Sequence, residues 1–196
     1  MKKLVGLTGK TGAGKSTVSA YLREKGAYII DGDIVAREIL ETDKSLLPRL
    51  CDAFGWDILA TDGKTLNRKA LARKAFSTPE NTSLLNSIMH PAINSEIKKQ
   101  AKKAFDEYNT VIVDAAAIIE SGFADECDIL IVVHAPEGVR KERIMKRDNL
   151  SEDDALVRID AQKDDAFYIK RATYVISNFF DHDFKKQIDS IEKELF

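Results

Sequence analysis

A chain of 196 residues, set against about 150 residues per domain, is one domain with room for an insertion. Hydrophobic residues at 44%, charged residues at 32%, 10 Gly and 4 Pro exclude collagen-like, low-complexity and disordered classes. Thirty Lys and Arg against 32 Asp and Glu leave a net charge of −2, so the chain lacks the global basic field of a protein that binds nucleic acid or an anionic membrane surface.

The first element is a strand, Leu4 to Leu7, too short for a signal-peptide core or for a membrane span of about 20 residues. A cytoplasmic protein is expected. Directly after it stands Gly9-Lys10-Thr11-Gly12-Ala13-Gly14-Lys15-Ser16, which fits G-x-x-x-x-G-K-[ST], followed by an amphipathic segment that begins at Ser16. Such a pattern arises by chance in about 0.7% of chains of this length, and strand-before, helix-after is the context its chemistry requires. Glycines let backbone N–H groups wrap a phosphate chain, and the helix N-terminus adds partial positive charge. Gly12, Ala13, Gly14, Lys15, Ser16 and Thr17 are therefore candidate ATP ligands, with Lys15 on the β and γ phosphates and Ser16 on Mg²⁺.

The second strand, Ala27 to Ile30, delivers Asp31-Gly32-Asp33 ahead of a helix over Ile34 to Leu40. One of these two carboxylates can take the proton of an attacking hydroxyl, and Asp before a helix is also a favoured cap. The long stretch before the third strand reads as helix around Leu46, Leu47, Leu50 and Phe54, then Leu66 to Phe76, then Leu84 to Ala104. This is a helical insertion spanning about residues 38–107.

Strand three, Val111 to Val113, ends at Asp114, which matches an acidic position able to hold Mg²⁺ directly or through water. Ile129 to Val133 is a continuous apolar run, the mark of a central strand covered on both faces. On the helix after it, Arg140, Arg143 and Arg147 fall within an arc of about 60°, at about 100° per residue, and predict one arginine face. The polar stretch at about residues 146–171 reads as a mobile lid, opened by a capping box at Ser151 and Asp154 and carrying Arg158. Tyr174 to Ile176 is the fifth strand. Cys51, Cys127 and the dispersed His90, His134 and His182 form neither a redox pair nor a zinc cluster.

Strands spaced by helices imply an α/β chain with a five-stranded parallel sheet between helical layers, the three-layer P-loop NTPase architecture, within one domain over residues 1–196. No Asn-Lys pair exists to build the guanine-reading N-K-x-D of a GTPase, and no L-S-G-G-Q is present. A small-molecule kinase remains, with a slow ATPase regulatory module as the other class.

Along nearly its whole length the chain resembles the dephospho-coenzyme A kinases. The residues that carry this are Leu7 to Gly9 with Gly12 to Thr17, Asp31-Gly32-Asp33 with Ala36-Arg37, Arg68, His90-Pro91, Asp114, Glu120, Arg143, Arg147-Asp148 with Leu150-Ser151, Arg158, Gln162 and Asn178. The resemblance implies ATP-dependent phosphorylation of the ribose 3′-hydroxyl of dephospho-coenzyme A, the last step of coenzyme A synthesis, in a fold of core, substrate-binding helices and lid. It further implies Mg²⁺, small-molecule partners only, and a monomer or weak homo-oligomer. By the same resemblance Asp33 is the general base and Lys15 and Arg143 assist transfer. Arg143 and Arg147 lie near the nucleotide phosphates, and Asp31, Arg37, Arg68, His90 and Glu120 lie on the acceptor side. The chain departs from the family pattern at Ala116 to Ile119, where Pro-Leu-Leu-Phe is usual, and at Asn67, Arg140, Ala172-Thr173 and Phe179-Phe180. A nucleoside or nucleotide kinase of the same architecture is the alternative acceptor chemistry.

Overall fold

The computed structural model describes residues 1–180 and 182–196. Five strands, β1 (Lys3–Gly9), β2 (Tyr28–Asp31), β3 (Thr110–Asp114), β4 (Ile129–His134) and β5 (Tyr174–Ser177), form one sheet in the order β2-β3-β1-β4-β5, with every pairing parallel. Strand burial follows this order. β3 is buried throughout and β4 is buried up to its last residue, as central strands covered on both faces must be. The edge strands β2 and β5 each bury one residue fully. The order reverses at β1, and the crevice beyond the carboxyl ends of the strands at such a reversal is where α/β sheets bind ligands.

The chain divides into two compact units, residues 1–31 with 100–196, and residues 32–99. In the first, α1 (Lys15–Glu24) follows β1, and α6 (Glu137–Asp148), α7 (Glu152–Asp160) and α8 (Asp165–Ile169) connect β4 to β5. Two C-terminal helices, α9 (Phe184–Ser190) and α10 (Glu192–Leu195), complete the unit. Its core joins Val5, Leu7, Val18, Ile112, Ile131 and Ile188. Tyr21 meets Phe184 edge-on at 5.8 Å between centroids and donates to Asp189 at 2.7 Å, which clasps α1 to α9. Gly6 lacks a side chain where one would meet Leu130 Cδ1 at 2.8 Å and Ile118 Cδ1 at 2.9 Å.

The second unit contains α2 (Gly32–Thr42), α3 (Leu46–Phe54), α4 (Arg68–Ala75) and most of α5 (Pro79–Ala104), whose last residues belong to the first unit. Several predicted boundaries move, the expected helix over Ile34 to Leu40 spanning Gly32–Thr42, and two of the shifts have a local cause. The helix expected from Leu66 begins at Arg68, because residues 59–66 form a tight antiparallel turn in which Leu59 bridges Leu66 and Asp62 accepts from the Lys64 and Thr65 N–H groups. Asn67 then caps α4 by accepting from Ala70 N–H at 3.1 Å, a role that Asn and Asp fill about equally. The helix expected from Leu84 begins at Pro79, since proline is tolerated in a first turn whose N–H groups have no helical partner. Among the described residues no helix is long and apolar enough to cross a membrane.

Candidate active site

The loop between β1 and α1 turns on glycines at positive φ, Gly12 at 79° and Gly14 at 88°. A Cβ on Gly12 would stand 2.6 Å from the Arg140 carbonyl oxygen, so both the turn and the close approach of α6 demand glycine there. Lys15 opens α1, and its ammonium pairs with the carboxylate of Asp114 at the end of β3. Strand register explains the meeting, because Asp114 stands opposite Leu7 of β1 and opposite Asp31 of β2. Ser16 and Thr17 are exposed in the first turn of α1.

Arg143 reaches this loop from α6. Its Nη1 donates to the carbonyls of Gly12 at 3.3 Å and Ala13 at 3.2 Å, and its Nη2 donates to the Asn178 carbonyl at 2.9 Å. Asn178, just past β5, donates from Nδ2 to the Ala13 carbonyl at 3.0 Å. Gln162, after α7, accepts from Thr11 N–H at 2.7 Å, and Lys10 pairs with Asp165 of α8 at 3.2 Å. The Gly12 and Ala13 carbonyls of the loop are thus satisfied by Arg143 and Asn178. The segment over residues 146–171 touches the loop through Gln162 and Asp165. Sequence spacing carried no sign of Gln162 or Asn178 as partners of the loop, since each lies more than a hundred residues away.

The expected arginine face does not form. Arg140 is 1% exposed; its Nε donates to the Ala135 carbonyl at 3.1 Å, and its Nη1 has no hydrogen-bond partner among the described residues. It lies at the wall shared with Lys10, His134, Asp165 and Tyr168. Arg147 is exposed and grips Asp148 with two hydrogen bonds of 2.8 Å, and Arg158 binds the same carboxylate. These bonds, Arg147 first, hold the Asp148 carboxyl below its usual range. The helical wheel gave correct angles and the wrong environment, because Arg140 turns into the protein while Arg147 stays in solvent.

Glu120 follows β3 and accepts from the Tyr168 hydroxyl of α8 at 3.2 Å. Burial first, then the Glu120 charge, push the Tyr168 hydroxyl well above its usual range. Asp31 ends β2 and Asp33 sits in the first turn of α2, both exposed. Within the second unit, Arg68 opens α4 and pairs with Glu41, and its Nη2 lies 3.4 Å from the Arg37 carbonyl. His90 is half-buried in α5, just before Pro91.

A family model described as dephospho-CoA kinase matches residues 3–182. A dephospho-CoA kinase of Corynebacterium jeikeium (strain K411) is 45% identical over 175 residues, covering 89% of either chain. Among solved structures, a protein of Thermus thermophilus is similar with a TM-score of 0.82 at 30% identity, covering 100% of this chain and 98% of that one. A dephospho-CoA kinase from Campylobacter jejuni is similar with a TM-score of 0.71 at 28% identity, covering 99% and 97%.

Proposed function

The chain belongs to the dephospho-CoA kinase family, and we propose that it transfers the γ-phosphoryl group of ATP to the ribose 3′-hydroxyl of dephospho-coenzyme A. The observation that carries this is the loop with Lys15 held at Asp114, followed one strand over by Asp31 and, two residues along the chain, by Asp33. Backbone N–H groups of Gly12 to Thr17 bind the phosphates and Lys15 spans the β and γ groups. Asp33 accepts the proton as the 3′-oxygen bonds to the γ-phosphorus, the bond from that phosphorus to the β–γ bridging oxygen breaks, and ADP leaves. Arg143 fixes the loop backbone through the Gly12 and Ala13 carbonyls, and its charge adds to the positive potential around the bound phosphates. Arg147 and Arg158, tied through Asp148, belong to the segment that closes over the nucleotide.

The donor set fits Mg²⁺. Ser16 hydroxyl and Asp114 carboxylate are hard oxygen ligands beside the loop, and among the described residues no cluster of three or more His, Cys, Asp or Glu would hold a metal without substrate. When bound with ATP the ion would neutralise charge on the phosphates and align them. On the acceptor side we assign Asp31, Arg37, Arg68, His90 and Glu120, with the helical insertion over about residues 38–107, most of which lies in the compact unit over residues 32–99, as the acceptor-binding part and residues 146–171 as the lid.

The test is ADP release with Mg-ATP and, separately, dephospho-coenzyme A, adenosine, AMP, CMP or no acceptor, with the product's phosphate located by phosphorus NMR. Release only with dephospho-coenzyme A and a 3′-phosphate on the product is expected. Release with a nucleoside or nucleotide instead would identify the alternative kinase, and release without acceptor would identify an ATPase.

A further inference from the structure

Helix α2 carries Asp33, Arg37, Leu40 and Glu41 within an arc of about 100°, since residues four apart lie one above another on a helix. At 1.5 Å per residue, Arg37 stands about 6 Å and Glu41 about 12 Å along the axis from Asp33. If the reacting hydroxyl is at Asp33, the helix is a ruler for the rest of the acceptor. The ribose and its 5′-methylene lead to the diphosphate one turn on, at Arg37, and whatever follows the diphosphate arrives at the last turn.

A groove of about 530 Å³ opens there, wholly within the second unit, lined by Leu40, Glu41, Leu47, Pro48, Leu66 and Arg68. Its size falls within the range of about 300–1,000 Å³ typical of small-molecule sites. The acids at the groove are already engaged. Glu41 pairs with Arg68, and Asp43 accepts from the N–H and hydroxyl of Ser45 at 2.9 and 2.7 Å, which lowers its carboxyl below the usual range. Lys44 and Lys64, also on the lining, have no carboxylate partner among the described residues. The groove therefore offers apolar walls and ammonium donors, with its negative charge spent internally.

We infer that this groove, at the C-terminal end of α2, is the subsite for the pantetheine arm of the acceptor, an inference that rests on the proposed reaction. The geminal dimethyl group packs on Leu40, Leu66 and Pro48, and the amide carbonyls accept from Lys44 and Lys64. An arm that is bound equally in ground and transition states lowers KM without changing kcat. Arm recognition also separates the intended acceptor from AMP and adenosine, which present the same reacting hydroxyl.

The experiment uses the full chain with two groove-filling variants, Leu47→Trp and Pro48→Trp, the second at an exposed position where packing is not at stake. Melting temperature and KM for ATP serve as folding checks. The expected result is a KM for dephospho-coenzyme A raised about 10-fold or more with kcat nearly unchanged, and loss of competitive inhibition by 4′-phosphopantetheine. Folded variants with unaltered KM and unaltered inhibition would overturn the subsite while leaving the reaction intact. An unmodified protein that turns over ATP only with another acceptor would overturn the reaction itself, and inhibition by 4′-phosphopantetheine would then report on the groove separately.

Discussion

At the scale of single residues, charge and packing at the site separate cleanly. Asp33→Asn keeps the size and hydrogen-bonding shape of the side chain and removes the proton acceptor. Turnover should fall by about 10² or more while the KM for ATP stays nearly constant; turnover within a factor of a few of the unmodified protein would remove Asp33 from the role of base. Arg140 poses the opposite question, because a buried guanidinium with one unpartnered nitrogen costs desolvation that a single bond to Ala135 offsets only in part. Arg140→Met keeps the stem and discards the charge, and is expected to change unfolding free energy by no more than about 1.5 kcal/mol. Arg140→Ala, which opens a cavity against β4 and α8, should cost about 2–4 kcal/mol. Equal losses in the two variants, read by urea unfolding, would mean that the charge rather than the stem holds α6 in place.

At the scale of elements, what was legible in sequence was local. The five strands show in apolar runs of the right length, and the phosphate loop shows because its glycines, lysine and serine are contiguous between a strand and a helix. The cap of α7 was equally local: Ser151 accepts from Asp154 N–H at 3.2 Å and its hydroxyl donates to the Asp154 carboxylate at 2.6 Å. What stayed hidden depends on distance along the chain. Gln162 on Thr11, Asn178 on Ala13 and Tyr168 on Glu120 are meetings that sheet order creates and spacing does not record. The Leu59 to Leu66 turn escaped because a short apolar pair around Asp62-Gly63 has no helical or strand period. The visible cap gives an element-scale prediction. Helix α7 packs on α6 through a small cluster of Ile144, Ala155 and Ile159, separate from the main core. Ser151→Ala should cost about 1 kcal/mol and raise hydrogen exchange selectively in α7, leaving protection in β1, β3 and β4 unchanged. Uniform loss of protection across the sheet would show that α7 unfolds only with the whole unit.

For the whole molecule, the ionisable groups set two limits on stability. Asp43, Asp57, Asp62, Asp148 and Asp189 all have carboxyls lowered by hydrogen bonds to neighbouring N–H, hydroxyl, ammonium or guanidinium groups. A lowered carboxyl binds its proton less tightly in the folded state, so its contribution is present above the unfolded value near 4 and is lost as pH falls below it. These groups are exposed or half-buried at the surface and each contributes little, so the acid limb is shallow and salt-sensitive. On the alkaline side the sign reverses. Burial pushes the Cys127 thiol up to about 12, where its Sγ lies 3.5 Å from the Phe123 carbonyl, and Tyr168 is raised as well. A raised group holds its proton more tightly when folded, so stability is full below the unfolded values of about 8.5 for Cys and 10 for Tyr and declines as pH climbs through the folded ones. Melting temperature should therefore be level from about pH 5 to 8 and fall on either side. Cys127→Ala removes one titrating group and should flatten the first part of the alkaline decline without moving the acid limb. The same thiol should resist iodoacetamide at pH 7.5 until the protein is unfolded, since the thiolate is the reactive form. Rapid alkylation of the folded protein at Cys127, or an alkaline limb identical in the alanine variant, would show that the segment between β3 and β4 opens readily and does not shield the thiol.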